Sequence, residues 1–243
     1  MDVSLYSAAS AMNATERWQD LIAENLSMAG VSGAHARAMS FSAVQAGQAG
    51  LGGQPLVMPR TNTSTDFTQG ELRGTGNPMD CALQGPGFFT VQLPGGAKGY
   101  TRDGEFTVDK LGQLVTKQGF PVLGDSGPIL TDPASKSPLT ISPEGEVSQG
   151  DIKGQLALVE FPRPQNLTPL GRGIFRNNNP AVKPLPTTNT QVRAGFAENS
   201  NVSPTMAMAT MITAMRMFES NQKVLQMGSE RMSKSITELS GTN

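Results

Sequence analysis

The two ends of the chain constrain its fold most, because each is a long helix-forming stretch with an apolar heptad seam, and about 180 residues separate them. From Met208 the seam runs Met208, Met211, Met215, Phe218, Gln222, Leu225, Ser229, Met232, Ile236, Leu239, in alternating steps of three and four. That spacing sets side chains on one face of a helix. From Leu5 it runs Leu5, Ala8, Met12, Thr15, Gln19, Ile22, Leu26. Such helices owe their stability to the packing of the apolar stripe more than to propensity, so each end needs the other end or copies of itself. The ends are expected to be largely unstructured in the isolated subunit and to order when neighbours surround them. The expected fold is α+β: long N- and C-terminal helices forming a coiled-coil-like core domain, with a central, mostly antiparallel β domain.

The spacing predicts a first helix from about Val3 to Met28, with Asp2 or Ser4 as a cap and Gly30 and Gly33 as stops. The last helix is predicted to start at Ser203-Pro204, a cap followed by a proline at the position where its missing N–H costs nothing, and to run to about Ser240. Between them, apolar alternation and turn residues predict short strands at Phe88–Leu93, Tyr100–Arg102, Glu105–Val108, Gln113–Thr116, Pro121–Leu123, Leu139–Ile141 and Gln155–Phe161. The expected organisation is an N-terminal helix and the start of a connector over 1–44, an extended connector over 45–74, the β domain over 75–176, a returning connector over 177–202 and the C-terminal helix over 203–243.

Composition removes several function classes. The 243 residues carry 19 basic and 20 acidic side chains, a formal net charge of -1, which provides no field for gathering nucleic acid or an anionic membrane. The longest apolar stretch, Met206 to Met215, is too short to span a bilayer. No basic n-region with an apolar h-region opens the chain, so no cleaved secretory signal is expected. One cysteine, Cys81, excludes an internal disulfide and is expected to be a small buried residue.

Candidate chemistry is sparse. His35 is the only histidine and sits in a Gly/Ala-rich stretch, with no second feature to suggest a nucleophile–base pair. Gly70 to Pro78 (GELRGTGNP) lacks the Gly-Lys-Ser/Thr ending of a phosphate loop and reads as a structural turn. Asp103, Glu105, Asp109, Glu144 and Glu146 lie at turns or on strands beside glycines, where solvated carboxylates are common, although the paired acids of a cell-wall hydrolase would look the same. No catalytic residue, cofactor or metal site is expected. The polar seam positions Thr15, Gln19, Gln222 and Ser229 either set helix register or face other subunits or a wet channel. The many methionines of the last helix suit packing against neighbours in slightly different environments.

Leu5-Tyr6-Ser7-Ala8-Ala9, Ile22-Ala23-Glu24-Asn25-Leu26, Thr75-Gly76-Asn77-Pro78-Met79-Asp80, Gly85-Pro86-Gly87-Phe88-Phe89, Tyr100-Thr101-Arg102-Asp103-Gly104 and Glu198-Asn199-Ser200-Asn201-Val202 follow one another along the chain. In that order they resemble the bacterial flagellar rod and hook proteins. The stretches around Val122–Ile129, Gly154–Phe161 and Leu167–Arg176 are most similar to the proximal-rod members, with distal-rod and hook-type members next. The resemblance implies an axial structural subunit of the basal-body rod, exported by the flagellar type III apparatus and stacked helically with copies of itself and other rod subunits. It also implies a place beside the export apparatus and basal-body rings, terminal helices around an export channel, and no nucleic acid or membrane span. The implied assembly interface comprises Leu5, Met12, Ile22, Leu26, Met208, Met211, Met215, Phe218, Leu225, Met232, Ile236 and Leu239, with Asn25, Asn199 and Asn201 from the shared motifs. One segment departs from the family: after Asn25-Leu26 an Asn- and Thr-rich turn ending Gly-Phe-Lys is usual, whereas this chain has Ser27 to His35, with Ala34 and His35 at the aromatic and lysine positions.

Overall fold

Both ends are helical in the computed structural model, which describes residues 3–49, 55–132, 135, 137–187 and 189–240. Helix α1 spans Val3–Met28 and helix α2 spans Pro204–Ser240. The start of α2 follows from its sequence: Ser203 O accepts from Ala207 N at 2.9 Å, and Ser203 Oγ takes the free amide of Met206 at 3.5 Å. Of the two caps expected for α1, Asp2 lies outside the described residues and Ser4 falls within the helix.

The chain divides into two units. One comprises Met1–Leu26, Arg37–Ser64 and Ser203–Asn243, and the other Ser27–Ala36 and Thr65–Val202. In the first unit α1 and α2 are joined by a ribbon of two paired strands, Arg37–Ala49 and Pro55–Thr65. Ser40 bonds to Asn62 and Ser42 to Arg60, partners that run in opposite directions, so the ribbon is antiparallel.

The expected coiled-coil-like core is corrected by this unit. A two-helix seam would bury Met208, Met215 and Met232, yet these are 53%, 51% and 40% exposed. The covered row of α2 is instead Ala207, Met211, Ala214, Phe218, Asn221, Leu225 and Gly228, and beyond Gly228 every side chain described is exposed. Small residues, not large ones, fill alternate positions of that row. At its centre Ala214 is fully buried, and Asn221 Nδ2 donates to Thr15 Oγ1 of α1 at 3.3 Å. The two helices thus meet along part of α2 through a close, partly polar contact, and α1 gives its other face to the ribbon.

The second unit is almost wholly β. Its largest sheet has six strands in the spatial order Thr168–Gly171, Ile174–Arg176, Lys98–Thr101, Gly87–Gln92, Leu158–Glu160, Leu185–Pro186. Every pairing in it is antiparallel. Successive side chains of a strand face opposite ways, so Phe88 and Phe89 enter different cores. Phe89 joins Cys81, Leu83, Phe106, Leu114, Val122 and others, while Phe88 joins Tyr100, Phe161, Leu167 and Phe175. The returning chain closes the unit: Gln191–Ala194 pairs with Cys81–Gln84, and Phe196–Glu198 with Leu72–Gly74.

The stretch Ser27 to His35 is built into this unit. Gly33 adopts φ +64°, and a Cβ there would fall 2.3 Å from Asp103 N. Its amide donates to Glu198 O at 2.7 Å. Gly33→Ala is therefore expected to cost about 1 to 3 kcal/mol, through left-handed strain and backbone overlap together. Urea unfolding of the variant checks this; a change within about 0.5 kcal/mol would contradict it.

Candidate functional site

Among the described residues, helix α2 carries most of the apolar surface that the first unit leaves uncovered. With 3.6 residues per turn, Met208, Ile212 and Met215 flank the covered row on one side and Met206, Met217 and Val224 on the other. All six are 45% exposed or more. Met232 continues the covered row itself and is 40% exposed. A helix with three apolar faces and one intramolecular partner is shaped for neighbours.

The other expected interface residues fall into different settings. Ile22 is buried, and Met12, Leu26, Met211, Phe218 and Leu225 are partly covered. The side chains of Leu5, Ile236 and Leu239 lie outside those described. Asn25 acts within the chain: its Nδ2 donates to Arg37 O at 2.7 Å and its Oδ1 accepts from Arg37 N at 2.8 Å, so one side chain mimics a strand partner where the ribbon leaves α1. Glu24 pairs with the Arg37 guanidinium beside it. Trp18 packs edge-on against Phe41, ring centres 6.0 Å apart.

Asn199 and Asn201 also bond internally. Asn201 Oδ1 accepts from Ala36 N at 2.6 Å, while its Nδ2 donates to the carbonyls of Asp66 at 2.9 Å and Thr68 at 3.0 Å. Three separate passes of the chain are thereby tied at one amide. Asn199 N donates to Glu71 O, and Asn199 Oδ1 accepts from Arg73 Nε at 3.2 Å. The remaining polar seam positions divide: Thr15 is buried and bonded to Asn221, Gln19 is half-buried, and Gln222 and Ser229 are exposed.

The titratable groups of the β unit serve architecture. His35 is buried against Phe67 and Phe175, with ring centres 5.2 and 6.1 Å away. Burial, helped by the Arg102 charge, pushes its pKa down to about 4. Neither ring nitrogen reaches a partner with hydrogen-bond geometry, so the Asp66 and Thr68 carbonyls nearby offset little of that. Asp103 is 3% exposed, and burial pushes its carboxyl up to about 6, although Oδ1 accepts from Glu105 N at 3.1 Å. Partial burial would raise Glu105, but bonds from Lys117 and Ser32 outweigh it and hold the carboxylate below its usual range. Both acids border a polar cavity of about 530 Å³ with Lys117 and Arg172. Asp103 is engaged with the turn and Glu105 with Lys117 and Arg73. Cys81 is fully buried, which drives its thiol well above the ordinary range. The Gly70–Pro78 stretch leads into strands and not a helix, and Asn77 Nδ2 donates to Asp80 Oδ1 at 2.9 Å to close a turn. Among the described residues no cluster of three His, Cys, Asp or Glu is placed to hold a metal, and no helix is long and apolar enough to cross a membrane.

His35 and Asp103 set opposite pH dependences. Between pH 6.5 and 4 the unfolded chain protonates His35 while the folded chain resists, so stability falls as pH drops. Between pH 6 and 3.8 the folded chain protonates Asp103 first, so stability rises as pH drops. Each effect amounts to about 2 kcal/mol between pH 7 and 4.5, and they nearly cancel. Relative to the unaltered chain, His35→Leu should gain about 2 kcal/mol on that descent and Asp103→Asn should lose about as much. Urea titrations at the two pH values measure both; parallel changes in the two variants would contradict the assignment.

Comparison with known proteins agrees with these features. Residues 82–149 match the family described as the flagellar hook protein FlgE/F/G D1 domain, and residues 193–239 the one described as flagellar basal body rod FlgEFG protein C-terminal. The flagellar basal-body rod protein FlgF of Caulobacter vibrioides is 36% identical over 99% of this chain and 99% of its own length. FlgF of Escherichia coli is 33% identical over 93% of each, and the rod protein FlgG of Borreliella burgdorferi is 31% identical over 92% of this chain and 93% of its own length. With relatives this similar from end to end, the chain belongs to the flagellar basal-body rod protein family and is FlgF-like within it.

Proposed function

We propose that this chain is an axial structural subunit of the proximal rod, without catalytic activity, that assembles helically with copies of itself and with other rod subunits through its terminal helices. The observation that carries the reading is the uncovered apolar surface of α2, which one chain cannot bury and a tube of many chains can. Packed this way, the helices line the export channel and pass torque from subunit to subunit. The subunit travels through the flagellar export apparatus, and its neighbours include the basal-body rings.

A distal-rod position is the second reading, favoured by the FlgG relatives that match most of the chain. Immunogold electron microscopy of purified basal bodies carrying a tagged copy separates the two. Label confined to the membrane-proximal part of the rod is the expected result, label toward the hook supports the second reading, and label absent from the rod contradicts both.

A further inference from the structure

Two features of the β unit find no use in its own packing. Leu111 is 79% exposed at the tip of a tight turn, and Leu130 beside it is 57% exposed. The turn is rigid: Asp109 Oδ1 accepts from Leu111 N at 2.8 Å and Gln113 N at 2.7 Å, and the paired strands Phe106–Val108 and Leu114–Thr116 hold its base. Thr131 N donates to Gly112 O at 2.6 Å, which fixes the Leu130 segment against the turn. The leucines are therefore held outward as a fixed knob. The second feature is a cavity of about 690 Å³ walled by Leu93, Phe120, Leu170 and Ile174. Its charged lining residues are Arg172 and Arg176, and no carboxylate lines it. Arg172 adopts φ +50° between two glycines that also have positive φ. Positive φ at both Arg172 and Gly173 is what a two-residue hairpin loop requires, and the loop between Thr168–Gly171 and Ile174–Arg176 fixes where Arg172 leaves the strands.

We propose that the Asp109–Gly112 turn of one copy docks in this cavity of the next, with Leu111 and Leu130 against its apolar wall and Asp109 facing Arg172. This rests on the reading of the chain as an axial subunit. Lys110 on the same turn removes any general attraction, so the fit depends on one carboxylate meeting an arginine. The arrangement also has the right polarity. The turn precedes strand Leu114–Thr116, whereas the cavity residues Gln118 and Phe120 follow it, so knob and cavity lie at opposite ends of one hairpin. Contacts between unlike patches of identical chains leave a free patch on every added copy, and they grow filaments or rings.

The test uses full-length chains with Leu111→Cys and Leu170→Cys, separately and together, treated with a short bismaleimide after assembly into basal bodies. Cys81 is fully buried and does not compete. Cross-linked dimers and higher ladders of this chain are expected when both cysteines are on one chain, dimers alone when the two single-cysteine chains are mixed, and no cross-link from either single-cysteine chain by itself. Leu111→Asp, at a site too exposed to matter for folding, should keep the unaltered melting curve and enter rods about tenfold less well, whereas Leu111→Met should stay within about twofold. Absence of cross-links with full incorporation of Leu111→Asp overturns the proposal, as does cross-linking only to a different protein. If the unaltered chain itself fails to enter rods, the axial-subunit reading falls, and this contact with it.

Discussion

Glu198→Ala is expected to destabilise the β unit by about 3 to 5 kcal/mol, as removal of one partner from a buried ion pair does. Its carboxylate lies 3.4 Å from the Arg102 guanidinium, and both side chains are almost wholly buried, at 0% and 4% exposure. Oε1 also accepts from Gly70 N at 3.1 Å. Burial raises the Glu198 pKa and lowers that of Arg102, each opposed by the other's charge. Arg102 also lies 5.1 Å over the Phe88 ring, and its Nε makes no hydrogen bond. Removing the carboxylate leaves a cation in the interior with only a ring to offset it. An apolar replacement of both partners, Arg102→Met with Glu198→Met, should be much milder than either single change, because no unpaired charge remains. Urea unfolding with a double-mutant cycle decides this; a loss below about 1 kcal/mol for Glu198→Ala would show that the pair is dispensable.

Deletion of residues 204–243 is expected to abolish incorporation into rods while leaving the β unit folded. The β unit draws its cores from residues 81–192 and its closing pairs from 72–84 and 191–198, none of which lies in α2. Its unfolding transition should therefore shift little, since no residue of its core or closing strands is removed. The finer version, Met208→Lys with Met215→Lys, keeps helix propensity and places two charges on an exposed flank of α2. Helical content measured by circular dichroism should be unchanged, and rod incorporation should fall at least tenfold. Normal incorporation of either variant would mean that α2 does not make the contacts assigned to it.

The helix ends were legible because their signals are local. Ser203-Pro204 dictates a start, and the glycines after Met28 dictate a stop. Strand Gly87–Gln92 was legible from its apolar run between turn residues, and the burial of Cys81 from its being the only cysteine. The covered face of α2 was only half legible. Counting large apolar residues selects Met208 and Met215, whereas close approach to α1 selects Ala207, Ala214, Asn221 and Gly228 one residue away. Volume at the contact decided, and a hydropathy pattern does not encode it. The second covered face of α1, with Ala14, Trp18 and Leu21, was missed because the ribbon it meets comes from a Gln-, Ala- and Ser-rich stretch with weak strand signals. Arg102, Glu198 and His35 were missed as buried groups because their residue types are mostly exposed or intermediate, and only tertiary packing reveals the exception. Asn201 was marked by its motif, but its several bonds depend on segments more than 130 residues apart.

Apolar surface on α2 left bare by its own chain is, on this reading, covered by other subunits. Amide hydrogen exchange over residues 229–240, compared between the isolated subunit and purified rods, tests it most directly. Fast exchange in the subunit and strong protection in the rod is the predicted result; equal protection in both would contradict it.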